Sequence, residues 1–307
     1  MTRDSAFLFD GQGSFVPGFG KDLMRFPVFA ETFRSIAELT GNNLGEWAWG
    51  KTAVQTAKRN SRLQPTLFAL NLGLAQLLSD QRSLSDLKVA GHSLGELCAM
   101  AFSGILSLPQ AARLVRLRGE LMEEAGGLVP QDMLAIRSGD WMGIEGRIKE
   151  RYSGRIFLSN HNAQQEIVVA GENAALKALA LELQRESQTA SRLLGTGIAC
   201  HSPLLNSAQV VLNQAIDGLE IHPPRLDFFS VGCDRLVKDP GEIRESLKVH
   251  MTAPVYWARA MQSLSASGVR RAIEIGPSKI LKGLALKSAS PFEVRTSLEV
   301  ISELASH

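Results

Sequence analysis

The chain has 307 residues, 45% of them hydrophobic and 21% charged, with a formal net charge of +2 and a mean hydropathy of zero. This composition describes a globular protein with enough apolar material for a large core and a length suited to about two domains. The charge is too small for a nucleic-acid surface, no run reaches the ~18 apolar residues of a membrane span, and Met1-Thr2-Arg3-Asp4-Ser5 is too polar to open a signal peptide, so the expected location is the cytoplasm.

Ala6-Phe7-Leu8-Phe9 predicts a buried strand followed by a tight loop, Asp10-Gly11-Gln12-Gly13-Ser14. Gln64 to Leu78 reads as an almost wholly apolar internal helix with Pro65 near its first turn. The apolar stretch Leu87-Lys88-Val89-Ala90 runs into Gly91-His92-Ser93-Leu94-Gly95-Glu96 and then a helix-like segment, the order of a nucleophile elbow. Ser107-Leu108-Pro109-Gln110 has capping-box spacing and opens a helix to about Glu124. Residues 130–196 alternate in the order βαββαβ, which predicts a ferredoxin-like inserted subdomain, with hinges at Gly126-Gly127 and Gly195-Thr196-Gly197. Residues 1–129 and 197–307 then form an α/β core with a parallel sheet.

An elbow lifts a serine hydroxyl above a sheet edge and aims the first free N–H groups of the next helix at the carbonyl under attack. Ser93 is therefore a candidate acyl-accepting nucleophile, and a serine needs a base. His201, in Ile198-Ala199-Cys200-His201-Ser202-Pro203, has the right chemistry, although a boundary histidine with a structural role fits the same spacing. His92 adjoins the nucleophile on the turn and should point away from it. Cys200 reads as a small buried residue. Arg118 falls in the middle of the apolar face formed by Ala111, Leu114, Val115, Leu121, Met122 and Ala125. An inward guanidinium needs an anion, either a protein carboxylate such as Glu96 or a carboxylate carried by the substrate. Gln12 can offer a backbone N–H as an oxyanion donor. Asn160-His161-Asn162 can orient an acyl group or simply stabilise a turn. The basic run Arg270, Arg271, Lys279, Lys282 and Lys287 is either a solvated face or a docking site for an acidic partner. Three scattered cysteines and six histidines without ligand spacing predict neither disulfides nor a metal.

These pieces coincide with one family. The chain resembles malonyl-CoA:acyl carrier protein transacylases and the acyltransferase domains of polyketide synthases along nearly its whole length. The resemblance is carried by Phe9-x-Gly11-Gln12-Gly13-Ser14, Gln64-Pro65, Gly91-His92-Ser93-Leu94-Gly95-Glu96, Arg118-Gly119, Asn160-x-Asn162 with Val168-Val169-Ala170-Gly171, His201-Ser202, Pro254-Val255-x-Trp257 and Glu274-x-Gly276-Pro277. It implies an α/β-hydrolase-like core with the ferredoxin-like insertion. It also implies a Ser93 nucleophile, a His201 base oriented by a backbone carbonyl, and an oxyanion hole from the amides of Gln12 and Leu94. Arg118, with Gln64 nearby, would clamp the free carboxylate of a malonyl group; Asn160, Asn162, Cys200 and His250 complete the implied substrate set. The implied reaction moves malonyl or a related carboxyacyl group from CoA to the phosphopantetheine thiol of an acyl carrier protein, with no cofactor, in a monomer. The alternative is a thioester hydrolase of the same fold. Four residues depart from the family pattern: Asp10 replaces a proline, Arg62 a threonine and His250 a glutamine, while Cys200 matches neither the phenylalanine that accompanies malonyl nor the serine that accompanies methylmalonyl.

Overall fold

The computed structural model describes residues 4–80, 84, 86–288 and 292–304. Among them run ten strands: β1 (Ser5–Phe9), β2 (Lys88–Gly91), β3 (Gln131–Arg137), β4 (Ile156–Ala163), β5 (Glu166–Glu172), β6 (Ala190–Leu193), β7 (Asp227–Ser230), β8 (Arg235–Leu236), β9 (Arg271–Ile275) and β10 (Glu293–Thr296). Six form the main sheet in the order β10-β9-β1-β2-β7-β8, parallel except for the short antiparallel edge strand β8.

Strands in a parallel sheet covered on both faces need apolar side chains in both directions, and β1 supplies them. Phe7 and Phe9 enter the core beneath helices Asn60–Asp80, Leu94–Phe102 and Leu108–Leu128. Ala6 and Leu8 face the opposite layer, with Trp257, Met261 and Leu281. Burying a Phe or Leu completely is worth about 1.5–3 kcal/mol, so this central strand anchors both layers. Register then sets the site. Phe9 pairs with Gly91 on one side and Ile275 on the other, so three strands end level and their following loops converge at the carboxyl edge, where open α/β sheets bind ligands.

The second sheet, in the order β4-β5-β3-β6, is fully antiparallel and carries helices Trp141–Arg151 and Asn173–Leu183 over its own core of Leu134, Ile136, Ile148, Val169 and Leu176. This is the predicted βαββαβ unit. A bridge between Asn160 and Val255 joins it to the main body: Val255 N–H donates to Ser159 O and His161 N–H to Val255 O, both at 2.9 Å.

Two sequence expectations need correction. The helix expected to begin at Gln64 begins at Asn60, and Pro65 lies inside it. Its first turn is held by packing, since a Cβ on Gly119 would come within 2.5 Å of Asn60 O. Gly126-Gly127 is not a break, because the helix continues to Leu128. At the other crossing Gly195 and Gly197 take left-handed φ angles of 66° and 67°, but Asp132 fixes the turn by accepting from Gly195 N–H, Thr196 N–H and the Thr196 hydroxyl.

Gly91 and Gly95 are required at the elbow. A Cβ on Gly91 would lie 2.0 Å from Gly95 C, and one on Gly95 would lie 2.1 Å from Phe9 O. Gly127 has open space around it. Gly95→Ala is expected to destabilise at or above the upper end of the ~1–3 kcal/mol typical of overpacked cores. Gly127→Ala should be neutral or stabilising by up to ~1 kcal/mol. Denaturant unfolding of the two variants measures the contrast.

Candidate active site

Ser93 has φ 53° and ψ −116°, a conformation strained for any residue with a Cβ. The strain is held by three backbone bonds: His92 N–H to Phe9 O, Gly95 N–H to His92 O and Glu96 N–H to Ser93 O. Ser93 Oγ lies 2.7 Å from His201 Nε2. On the far side of the ring, His201 Nδ1 lies 3.0 Å from Ala253 O. A carbonyl can only accept, so Nδ1 carries the proton and Nε2 presents its lone pair to the serine. Burial, then the neighbouring His250 and the Arg118 cation, hold the His201 imidazole well below the ordinary histidine range. The ring is therefore neutral at physiological pH, with its Nε2 lone pair directed at the Ser93 hydroxyl.

Arg118 is 1% exposed. Nη1 donates to Gln64 Oε1 at 2.7 Å and Nη2 to Ser93 Oγ at 3.3 Å. Gln64 is itself held by Asn60 Oδ1 and Met122 Sδ. Burial pulls the guanidinium down to about 10, still cationic at neutrality. Among the described residues no carboxylate pairs with Arg118, and its Nε has no acceptor. Glu96, the candidate partner from sequence, faces elsewhere. Its Oε1 accepts from the Ser230 hydroxyl and Val231 N–H, and its Oε2 lies 3.4 Å from His250 Nε2. The reason is helix phase: Glu96 points toward β7 in the first turn of its helix.

The loop after β1 closes the opposite wall. A Cβ on Gly11 would be 2.8 Å from His92 O, so Gln12 rides directly against the elbow. Leu94 is the first residue of the helix after Ser93, where N–H groups lack an intrahelical acceptor. Gln12 Nε2 donates to Cys200 Sγ at 3.4 Å. Burial pushes the Cys200 thiol up to about 11, so it stays an uncharged small side chain, as expected. A cleft of about 600 Å³ opens from Ser93 and His201 between the two sheets, bordered by Gln12, Asn160, Asn162, Cys200 and Met133.

Structure and sequence agree on Ser93, His201, Arg118, Gln64, Gln12 and Cys200 as neighbours. His92 does point away: its Nε2 is 2.9 Å from Asn162 Oδ1 and its ring stands edge-on to Trp257. Asn162 thus has its carbonyl engaged by the elbow, and Asn160 Oδ1 accepts from Ser159. Both still border the cleft. His250 does not. It is buried behind His201, 6.1 Å ring to ring, and the carbonyl that orients the base belongs to Ala253. Sequence reasoning had no means of finding Ala253, because every residue offers a carbonyl. Its only mark was the following Pro254, which favours an extended backbone.

The basic run also divides. Arg271 pairs with Asp4 and Arg270 donates to Ser265 O and Val269 O, both at the amino end of β9, the edge of the sheet opposite the cleft. Lys279, Lys287 and, from β6, Arg192 border the cleft, with Lys287 bound to Glu166.

The acyl transferase domain family model matches residues 6–298. The chain belongs to that family. It is 28% identical to the malonyl CoA-acyl carrier protein transacylase of Haemophilus influenzae over 91% of this chain and 90% of that protein. Its fold is similar to the solved malonyl-CoA:acyl carrier protein transacylase of Xanthomonas oryzae pv. oryzae, with TM-score 0.89, 30% identity and coverage of 96% and 94% of the two chains. It is equally similar, at TM-score 0.89, 26% identity and 95% of each chain, to PlMCAT, a malonyl-transacylase solved in complex with AntF, a type II polyketide synthase acyl-carrier protein.

Because His201 is held neutral, the rate of Ser93 acylation should stay flat from neutrality down past the ordinary histidine value of about 6.5 and fall only well below it. Stopped-flow acylation across pH checks this; a limb at or above that value contradicts the depressed base.

Proposed function

We propose that this acyltransferase moves a malonyl or closely related carboxyacyl group from CoA to the phosphopantetheine thiol of an acyl carrier protein, in fatty acid or polyketide biosynthesis. The observation that carries the substrate class is the buried Arg118 cation beside Ser93, with no anion paired to it among the described residues. An uncompensated buried charge costs several kcal/mol, and a carboxylate on the acyl group supplies the missing partner. A simple acyl chain would leave that cost in place, which disfavours a hydrolase that clears such chains.

In the first half-reaction His201 Nε2 takes the Ser93 proton as Oγ attacks the thioester carbonyl. The N–H groups of Gln12 and Leu94 receive the oxyanion, each such donor being worth about 2.7–4 kcal/mol in the transition state. Collapse breaks the C–S bond, and His201 returns its proton to the departing CoA sulfur. In the second half the carrier thiol gives its proton to His201 and attacks the Ser93 ester, and Oγ leaves with that proton. Arg118 holds the carboxylate throughout and fixes the ester in the transfer pose. Asn160 and Asn162 from β4 border the cleft that would take the acyl group, with the small Cys200 side chain in the same lining.

The mechanism draws only on groups of this chain, and a monomer that needs no cofactor is the reading we adopt. No helix among the described residues is long and apolar enough to cross a membrane, and a cytoplasmic site of action is the reading we adopt. Arg192 and Lys279, exposed at the cleft mouth, suit an acidic carrier better than Arg270 and Arg271.

Intact-protein mass spectrometry after malonyl-CoA treatment should show one malonyl adduct, absent in Ser93→Ala and removed by a holo-carrier chase that gains the same mass. Reversal of Arg192 and Lys279 to Glu should slow the chase at low salt by a larger factor than it slows acylation by malonyl-CoA. Malonate appearing in solution in place of malonyl-carrier would sink the transfer reading.

A further inference from the structure

Asp10 stands at the junction between β1 and the Gln12 loop, and its surroundings do not suit an anion. The carboxyl is 1% exposed. Oδ1 accepts from Asn71 Nδ2 at 3.0 Å, and that same amide group also holds Asp10 O at 3.2 Å. Among the described residues Oδ2 has no donor within hydrogen-bond geometry, and Asn71 Oδ1 is likewise without a partner. The Ser14 hydroxyl, which could have answered, gives its proton to Gly11 O at 2.7 Å. Oδ2 presses so closely on Gly276 that a Cβ there would lie 1.7 Å away.

The charged and titratable groups around Asp10 only deepen the disfavour. From β9 comes Glu274, 0% exposed; from the helix after Ser93 comes the Cys98 thiol, which burial keeps un-ionised; from the elbow comes His92, held neutral by burial on the other side of Gly11. No cation from any packed element contacts the carboxyl among the described residues. Glu274 has the better claim to the negative charge of the pair, since its two oxygens accept from Leu281 N–H and Lys282 N–H, both at 2.9 Å. Asp10 has one amide donor within hydrogen-bond geometry, Asn71; the Ser14 hydroxyl and the Ser278 N–H lie nearby and oppose the disfavour without overcoming it.

We propose that Asp10 is a neutral carboxylic acid in the working enzyme and acts as a positioning residue: paired with Asn71, it ties the Gln12 loop to the internal helix and keeps the Gln12 amide against the elbow. Burial first, and the Glu274 charge second, push its carboxyl well above the usual carboxylate range. Ionisation would place a second unscreened anion beside Glu274 and strain the loop that receives the oxyanion. The sign follows from linkage. A carboxyl whose folded-state pKa is raised makes its full contribution to stability below the unfolded value near 3.9, and that contribution drains away as pH rises toward the folded value.

Three variants test this, with readouts that do not depend on acyl transfer. In wild type the unfolding equilibrium constant should rise with pH above about 4, by up to tenfold per pH unit, relative to Asp10→Asn, which copies the neutral acid. Glu274→Gln, by removing the neighbouring charge, should move the end of that rise to lower pH. Infrared difference spectra of wild type minus Asp10→Asn at pH 7 should contain the carbonyl stretch of a protonated acid. For function, Asp10→Ala should lower kcat by about tenfold to a hundredfold with little change in KM, and Asp10→Asn should restore it. Parallel pH dependence of wild type and Asp10→Asn, or no acid band at pH 7, overturns the proposal. So does Asp10→Ala behaving as wild type in both stability and kcat.

Discussion

The site is organised around a positive charge that the protein leaves unanswered. Arg118 sits in the middle of an apolar helix face, sealed from water, and among the described residues only the Gln64 carbonyl and the Ser93 hydroxyl receive its protons. A folded protein keeps such a charge only where the rest of the structure holds it in place or a ligand completes it. Here the rest of the structure does hold it: Asn60 and Met122 fix Gln64, and the close approach of Gly119 to Asn60 presses the two long helices together. The result is a cation stationed one hydrogen bond from the Ser93 hydroxyl, with no carboxylate beside it among the described residues.

Around that cation, one short segment does two jobs. Ala253 O orients the base and Val255 bonds to β4 of the small sheet. Any shift of the small sheet that pulled on Val255 would therefore reach His201 through two residues of chain. The His92–Asn162 bond makes a second tie between elbow and small sheet. The cleft is thus not a gap between independent bodies; its walls are joined behind the catalytic pair, and the mouth stays open on the side of Arg192 and Lys279.

Much of this was legible in the chain. The elbow could be read because its glycines are sterically obligatory, and the small sheet because its βαββαβ periodicity is local. Arg118 could be read because a charge on an apolar helix face breaks the pattern. What escaped has physical reasons. The base is oriented by a main-chain carbonyl, which carries no residue signature. Glu96 lay at a distance from Arg118 that spacing along the chain cannot measure, and it turned toward Ser230 and His250 instead. The basic run of residues 270–287 looked continuous in sequence but spans β9 from one edge of the sheet to the other, which places Arg270 and Lys279 on opposite sides of the molecule. His250, implied to lie near substrate by resemblance, was buried one layer too deep.

The direct test of the account is a competition for Ser93. Equimolar malonyl-CoA and acetyl-CoA, offered together and quenched early, should load wild-type protein almost wholly with malonyl. The same mixture on Arg118→Gln should shift toward acetyl by about a hundredfold or more, the scale expected for losing a buried charge-assisted contact. An unchanged malonyl preference in Arg118→Gln would contradict the claim that this buried guanidinium selects the acyl group.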